Sequence, residues 1–249
     1  MPFSADELLI CTLARRIRDG ETVAVGNNSP IPAAAALLAR ESHAPRACIY
    51  IIGQADWPFE GTKEFFDFLQ RGGVDVFFLS GAQIDAYGSL NLHVIGDYNL
   101  PKVRMPGGAG SAVVSFVCRR LFLFKTDHTR KGFTEKLDFI SSTSRSEANV
   151  YRIGELEGVF TPIAVLEPTG ESGRLQLAQV SPGISVDSVK EHTGFRLETQ
   201  QKLKQMTEPS DEELHILRSS VKKLLYKIYP QFVISLWGKQ DSDAADQEV

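Results

Sequence analysis

Several residue types that would declare a function are scarce in this sequence. Three cysteines, Cys11, Cys48 and Cys118, in 249 residues are too few and too widely spaced for a disulfide framework or a thiolate metal site. Each lies in an apolar run, which predicts buried, reduced thiols. No apolar stretch approaches the roughly 20 residues that span a bilayer. The N-terminus is acidic and amphipathic, without the basic-then-apolar order of a secretory signal. These absences predict a cytoplasmic protein with no membrane contact. The net charge is only -4, and the basic residues are scattered rather than striped, which argues against nucleic acid as a partner. His43, His93, His128, His192 and His215 fall in separate segments without ligand spacing, so no metal is expected. The sequence has no Gly-X-Ser-X-Gly elbow, no Gly-Lys-Ser/Thr phosphate loop and no dinucleotide fingerprint.

What is present is ordinary for a globular enzyme or subunit: 43% hydrophobic and 23% charged residues. The length suffices for a large core, expected as one domain over 1–237 followed by a polar tail over 238–249. Ser4 with Glu7 forms a capping-box pattern ahead of Leu9, Leu13 and Ile17 at helical spacing, with Gly20 as the stop. A strand follows at 21–26. Pro30 and Pro32 then open an Ala- and Leu-rich helix to about Arg40, and a buried strand is expected at 47–52. A helix at 61–73 and a wholly apolar strand at 74–80 continue the alternation. Further strands are expected at 121–124, 137–140, 149–153 and 175–180, with helices at 185–192 and 210–227. Continuous apolar strands alternating with helices predict an α/β fold, a mostly parallel sheet covered by helices on both faces.

Three glycine-containing turns follow or flank apolar strands: 25–30 with Gly26 and Asn27, 80–91 with Gly81, Ala82 and Gln83, and 104–114 with Gly107, Gly108, Ala109, Gly110 and Ser111. Glycine admits close backbone approach to a ligand, and free amides suit anions and developing oxyanions. Each turn alone reads more readily as a plain turn than as a binding loop; three of them on one sheet edge would be harder to dismiss. The strand at 47–52 ends at Ile52, Gly53 and Gln54, where α/β proteins place their chemistry, yet it offers no nucleophile, acid or base. Asp56 and Glu60 follow it as loop carboxylates. Trp57, Phe65, Phe66 and Phe68 either line an apolar pocket or pack in the core.

The stretch "GAQIDAYGSLN" with "IGDYNLPKVRMPGGAGS" downstream resembles the β subunit of family I coenzyme A transferases, of the glutaconate CoA-transferase type. The segments "LARRIRDGETVAVGNNSPIPAAAALLAR", "LEGVF" (156–160) and "SPGISVDSVKEHTGF" (181–195) extend the resemblance to about residue 220. It implies a three-layer subunit paired with an α-type subunit as a heterodimer or α2β2 heterotetramer, with the site at their interface. It also implies a coenzyme A thioester as substrate and no tightly bound cofactor. True transferases of the family use a Glu at the end of the 47–52 strand to form an acyl anhydride and then an enzyme–CoA thioester. Here that position is Ile52, which cannot attack. Family relatives lacking the Glu decarboxylate a glutaconyl-type acyl-CoA or hydrolytically open a cyclic keto acyl-CoA. The resemblance thus implies C–C bond cleavage on an acyl-CoA. Its alternatives are a conventional transferase with Glu60 as substitute nucleophile, or a structural subunit that completes a site housed on its partner.

Overall fold

The computed structural model describes residues 1–147, 149–170 and 172–238. Of the expected tail, all but Gly238 lies outside the described residues. The chain opens with helix α1 (Ala5–Ala14), capped by Ser4 through the reciprocal capping box with Glu7. Strand β1 (Thr22–Val25), helix α2 (Pro30–Glu41), strand β2 (Cys48–Ile51), helix α3 (Gly61–Gln70) and strand β3 (Val76–Leu79) follow. Two small hairpins come next, β4 (Gln83–Ile84) with β5 (Leu90–Asn91) and β6 (Val94–Gly96) with β7 (Pro101–Arg104). Helix α4 (Ser111–Val117) and strands β8 (Arg120–Phe124), β9 (Glu155–Phe160), β10 (Ala164–Thr169) and β11 (Arg174–Val180) complete most of the sheet. Helix α5 (Val186–His192) and strand β12 (Glu198–Gln205) lead to the C-terminal helices α6 (Asp211–Ile216), α7 (Lys222–Tyr226) and α8 (Pro230–Trp237). A single π-helical turn, Leu217–Val221, joins α6 to α7.

The eight-stranded sheet has the order β12-β11-β10-β9-β8-β3-β1-β2. Five neighbours, β2-β1-β3-β8-β9, run parallel, and β10 and β11 turn antiparallel before the parallel edge strand β12. Successive side chains on a strand face opposite ways, and β3 shows the consequence. Val76 and Phe78 enter the core under α1, α2 and the C-terminal helices; Phe77 enters the core on the other face with Phe65 and Leu69 of α3. Helices therefore cover both faces, and the three-layer α/β architecture is as the sequence predicts. Among the described residues no helix is long and apolar enough to cross a membrane.

Four expectations are corrected. The first helix ends at Ala14, and Gly20, with φ at +81°, instead turns the chain into β1. Residues 137–140 and 149–153 are not strands: neither has a neighbouring strand to pair with. The first run leads into Ser141 and Ser142, which bond the backbone of Leu90, and the second is held by Arg152, which donates to the carbonyls of Ser115, Thr143 and Arg145. Finally, Cys48 is exposed while Cys11 and Cys118 are buried, because β2 is the edge strand of the sheet and Cys48 is its first residue.

Candidate functional site

Parallel strands that end side by side place their following loops in one row. In this chain that row encloses a cavity of about 1020 Å³, large enough for a sizeable ligand. Gly26 to Pro30 follow β1, Ile52 follows β2, Ser80 to Ala82 follow β3, and Lys125 to Asp127 follow β8; all line it. A fifth segment, which forms a wall, comes from Gly107, Gly108 and Ala109 ahead of α4, with Ser111 at its start. Eight of the glycine-turn residues singled out in the sequence therefore meet in one space with Ile52: Gly26, Asn27, Gly81, Ala82, Gly107, Gly108, Ala109 and Ser111.

Gly53, Gln54, Gln83, Gly110 and Glu60 are not part of that lining. Gln54 folds back so that its side-chain oxygen accepts the Ile51 amide at 3.2 Å. Gln83 is buried; its oxygen accepts from Asn91 Nδ2 at 2.7 Å and from the Asp138 amide at 3.1 Å, and its nitrogen donates to Asp138. It braces the two hairpins, and both shown uses of its oxygen and the shown use of its nitrogen are within the chain. Gly110 lies behind the wall, where a Cβ would meet the Phe66 ring at 2.2 Å. Glu60 is exposed at the N-cap of α3, its amide bonded to the Glu64 carboxylate.

The wall at 107–110 is built from unusual backbone. Gly107, Ala109 and Gly110 have φ of +103°, +44° and +86°, and Asn28 of the opposite loop has +52°. Ala109 and Asn28 are the only non-glycine residues with positive φ among the described residues, and both line the cavity. Such backbone costs of order 1 kcal/mol per residue and collects at functional sites. It also turns successive amides to one side. The amides of Gly107, Ser111 and Ala82 are already spent on Leu92, Gly108 and Asn91 carbonyls. Among the lining residues of this wall, the donors left are the amides of Gly108 and Ala109. Beside them the Ser111 hydroxyl is buried without a hydrogen-bond partner among the described residues.

Lys125 is a residue that sequence reasoning missed. It is 9% exposed, donates to the Gly81 carbonyl at 3.1 Å and pairs with Asp127 at 3.2 Å. An ammonium carries three protons, so one more is available, and Lys125 is the only cation lining the cavity among the described residues. The available signal was its position as the first polar residue after the apolar run Leu121–Phe124. Two carboxylates line the cavity, Asp127 and Asp6; burial, reinforced by the neighbouring Glu7 charge, raises the Asp6 pKa. The aromatic residues divide. Trp57, Phe65 and Phe66 line the cavity, whereas Phe68 packs edge-on against Tyr50 and tilted against Phe59. His93 packs tilted against Phe139 with ring centroids 4.4 Å apart, and its Nδ1 bonds Ser141 Oγ at 2.6 Å just outside the glycine wall.

Fold and cavity together define an α/β protein with a large cavity at the carboxyl ends of its parallel strands. Residues 53–192 match the family model described as Coenzyme A transferase. The chain is 31% identical to the β subunit of the 3-oxoadipate CoA-transferase of Pseudomonas knackmussii, over 87% of this chain and 93% of that protein. It is 26% identical to the β subunit of the glutaconate CoA-transferase of Acidaminococcus fermentans, covering 88% and 92%. It is likewise 26% identical to the cholesterol ring-cleaving hydrolase IpdB subunit of Rhodococcus jostii, covering 65% and 66%. Among solved structures, a variant of the decarboxylase AibA/AibB superposes with a TM-score of 0.75 at 25% identity, covering 88% of this chain and 95% of that one. The chain belongs to the coenzyme A transferase family and is like its β subunits.

Proposed function

We propose that this chain is the β-type subunit of an enzyme that cleaves a C–C bond in an acyl-CoA, by hydrolysis or decarboxylation, without a covalent enzyme–CoA intermediate. The observation that carries this reading is Ile52. It follows β2 and lines the cavity; the resemblance assigns this position to the glutamate of the family's transferases, and an alkyl group has no lone pair with which to attack. Glu60, the nearest glutamate in sequence, is outside the lining. Relatives named as a ring-cleaving hydrolase subunit and a decarboxylase support chemistry other than CoA transfer within this fold.

In the proposed reaction the thioester carbonyl lies against the Gly108 and Ala109 amides, with the Lys125 ammonium across the cavity. When the C–C bond breaks, its electron pair moves into the carbonyl as an enolate oxygen. Positioned donors stabilise that charge more strongly in a water-poor cavity than water would. A proton then returns to carbon. Decarboxylation releases CO2; in hydrolysis, water adds to the keto carbon before the bond breaks. Trp57, Phe65 and Phe66 hold the acyl chain, and Ile52 closes off the space that a nucleophile would occupy. An α-type partner is part of the reading, since AibA/AibB is a two-subunit protein, and it would supply any further acid or base.

Conventional CoA transfer is the second reading, favoured by the 31% identity to a CoA-transferase subunit. Incubating the assembled pair with branched, unsaturated and cyclic keto acyl-CoAs and a carboxylic acid acceptor separates the two. The proposal expects acyl-CoA products that have lost CO2 or gained water with CoA still attached. CoA moved to the acceptor, with the acyl skeleton intact, would establish the second reading instead.

A further inference from the structure

We infer that a second cleft, at the opposite end of the sheet from the large cavity, binds the dianionic phosphate group of a small ligand. The cleft has a volume of about 410 Å³ and shares no lining residue with the large cavity. Its back is the end of α1, with Thr12, Arg15 and Arg16; its rim is β12, with Gln200, Lys202 and Lys204. Arg16 pairs with Glu157 near the start of β9 at 3.8 Å, so the cleft lies where the parallel strands begin rather than where they end. The site stands independently of the proposed reaction.

The edge of the sheet bends to make this space. Gln176 and Leu177 of β11 pair with Glu198 and Thr199 of β12, and Gln179 and Val180 pair with Lys204 and Gln205. Residues 200–203 of β12 thus stand opposite Ala178 alone. The strand arches over Ala178, a small and buried side chain that lines the cleft. Successive side chains on a strand face opposite ways. Leu203 packs into the core on the α3 face, whereas Gln200, Lys202 and Lys204 line the cleft on the α1 face.

Taken pair by pair, the charges around the cleft leave two cations over. Arg15 donates to both oxygens of Glu213 and to the Thr207 and Glu208 carbonyls. Arg16 pairs at 2.7 Å with Glu167, the one carboxylate that lines the cleft among the described residues. Lys202 and Lys204 are exposed, and neither side chain has an ion pair or a hydrogen bond among the described residues. The Gln179 and Gln200 side chains are equally unengaged there. Two ammonium groups and two carboxamides match a dianion with several acceptor oxygens, which a phosphate group is and a single carboxylate is not. Lysines on an edge strand also deter unwanted strand pairing, but that role needs neither the arch nor the glutamines beside it.

Titration calorimetry of the full chain with inorganic phosphate and with adenosine monophosphate, at low ionic strength, tests this. The wild-type chain should bind, and the double variant Lys202→Gln, Lys204→Gln should bind at least about tenfold more weakly, the loss expected when a charged hydrogen bond goes. Its melting temperature should not change, because both side chains are exposed. Lys125→Met, in the large cavity, should bind phosphate as wild type does. Tighter binding of adenosine monophosphate than of phosphate would identify a phosphate ester as the ligand, and equal affinities the free ion. No saturable binding of either compound, or binding that survives the double variant, would overturn the inference. Loss of binding in Lys125→Met would overturn it too, by placing the phosphate in the large cavity.

Discussion

Replacing Lys125 by Met separates its structural from its chemical role, because the two have different magnitudes. In the fold, the ammonium makes one hydrogen bond, to the Gly81 carbonyl at 3.1 Å, and one ion pair with an Asp127 side chain that is 53% exposed. A charged hydrogen bond contributes about 1.5–3 kcal/mol, a pair with a half-exposed partner about 0–1 kcal/mol. Against these, Met no longer has to bury a charge, and its stem keeps the packing at Gly132, where a Cβ would lie 2.7 Å from Lys125 Cε. The net loss should stay below about 2 kcal/mol, a fall of less than about 8 °C in Tm for a chain of this size. In the reaction, removing one donor from a developing oxyanion costs about a hundredfold or more in kcat. Thermal melts of the lone chain, alongside turnover of the assembled pair, should show a small shift in the first and a large loss in the second. Turnover within about threefold of wild type would remove Lys125 from the site, and a collapse of Tm would make it a structural lysine.

Glu7 and His128 predict how acid unfolds the protein. Burial alone would raise the Glu7 pKa, but hydrogen bonds from Arg218, the Ser4 amide and Trp237, with the Arg218 charge, hold it at about 2 against an ordinary 4.5. That stabilisation, about 3 kcal/mol, is fully present above pH 4.5 and is lost as pH falls towards 2; Glu7→Gln should abolish this dependence in urea titrations at stepped pH. His128 is pushed down to about 4 from 6.5, first by burial, then by the charges of His192 and Lys125, with Asp127 opposing. Its contribution is complete above pH 6.5 and disappears as pH falls to about 4, so His128→Gln should flatten that earlier window. At the glycines, Gly26→Ala should melt normally, since its Cβ would find only ordinary contacts at 3.8–3.9 Å, yet it should slow turnover by filling the cavity. Gly110→Ala should instead lose stability, with Phe66 in the way and φ at +86°; trimming Phe66 to Leu should recover part of that loss.

The alternation of apolar strands and helices was legible because burial on both faces leaves few polar positions in β1, β3 and β8. The capping box at Ser4 and the prolines opening α2 fixed two helix starts. Strands β9, β10 and β12 were not read from periodicity. Glu167 and Pro168 interrupt β10, and β12 is a mostly polar edge strand with few apolar residues to mark it. The segments 137–140 and 149–153 misled because their apolar residues sit in loops: Leu137 is buried, whereas Ile140, Val150, Tyr151 and Ile153 are exposed, and neither run has a neighbouring strand to pair with. At the site, the glycine turns were visible as turns, but only the strand order brings residues from 26, 52, 81 and 107 to one place. Lys125 escaped notice because a single lysine after a strand is common; its burial makes it informative, and burial is not visible in the sequence.

With Ile52 at the end of β2, this chain should offer no nucleophile to an acyl-CoA. Incubating the assembled pair with acyl-CoA and then borohydride would reduce any glutamyl–CoA thioester to a stable, lighter side chain, detectable by intact mass and peptide mapping. The chain should keep its unmodified mass while acyl-CoA is consumed. A reduced carboxylate mapping to Glu60, or to any other acidic residue of the chain, would contradict this and restore the transferase mechanism.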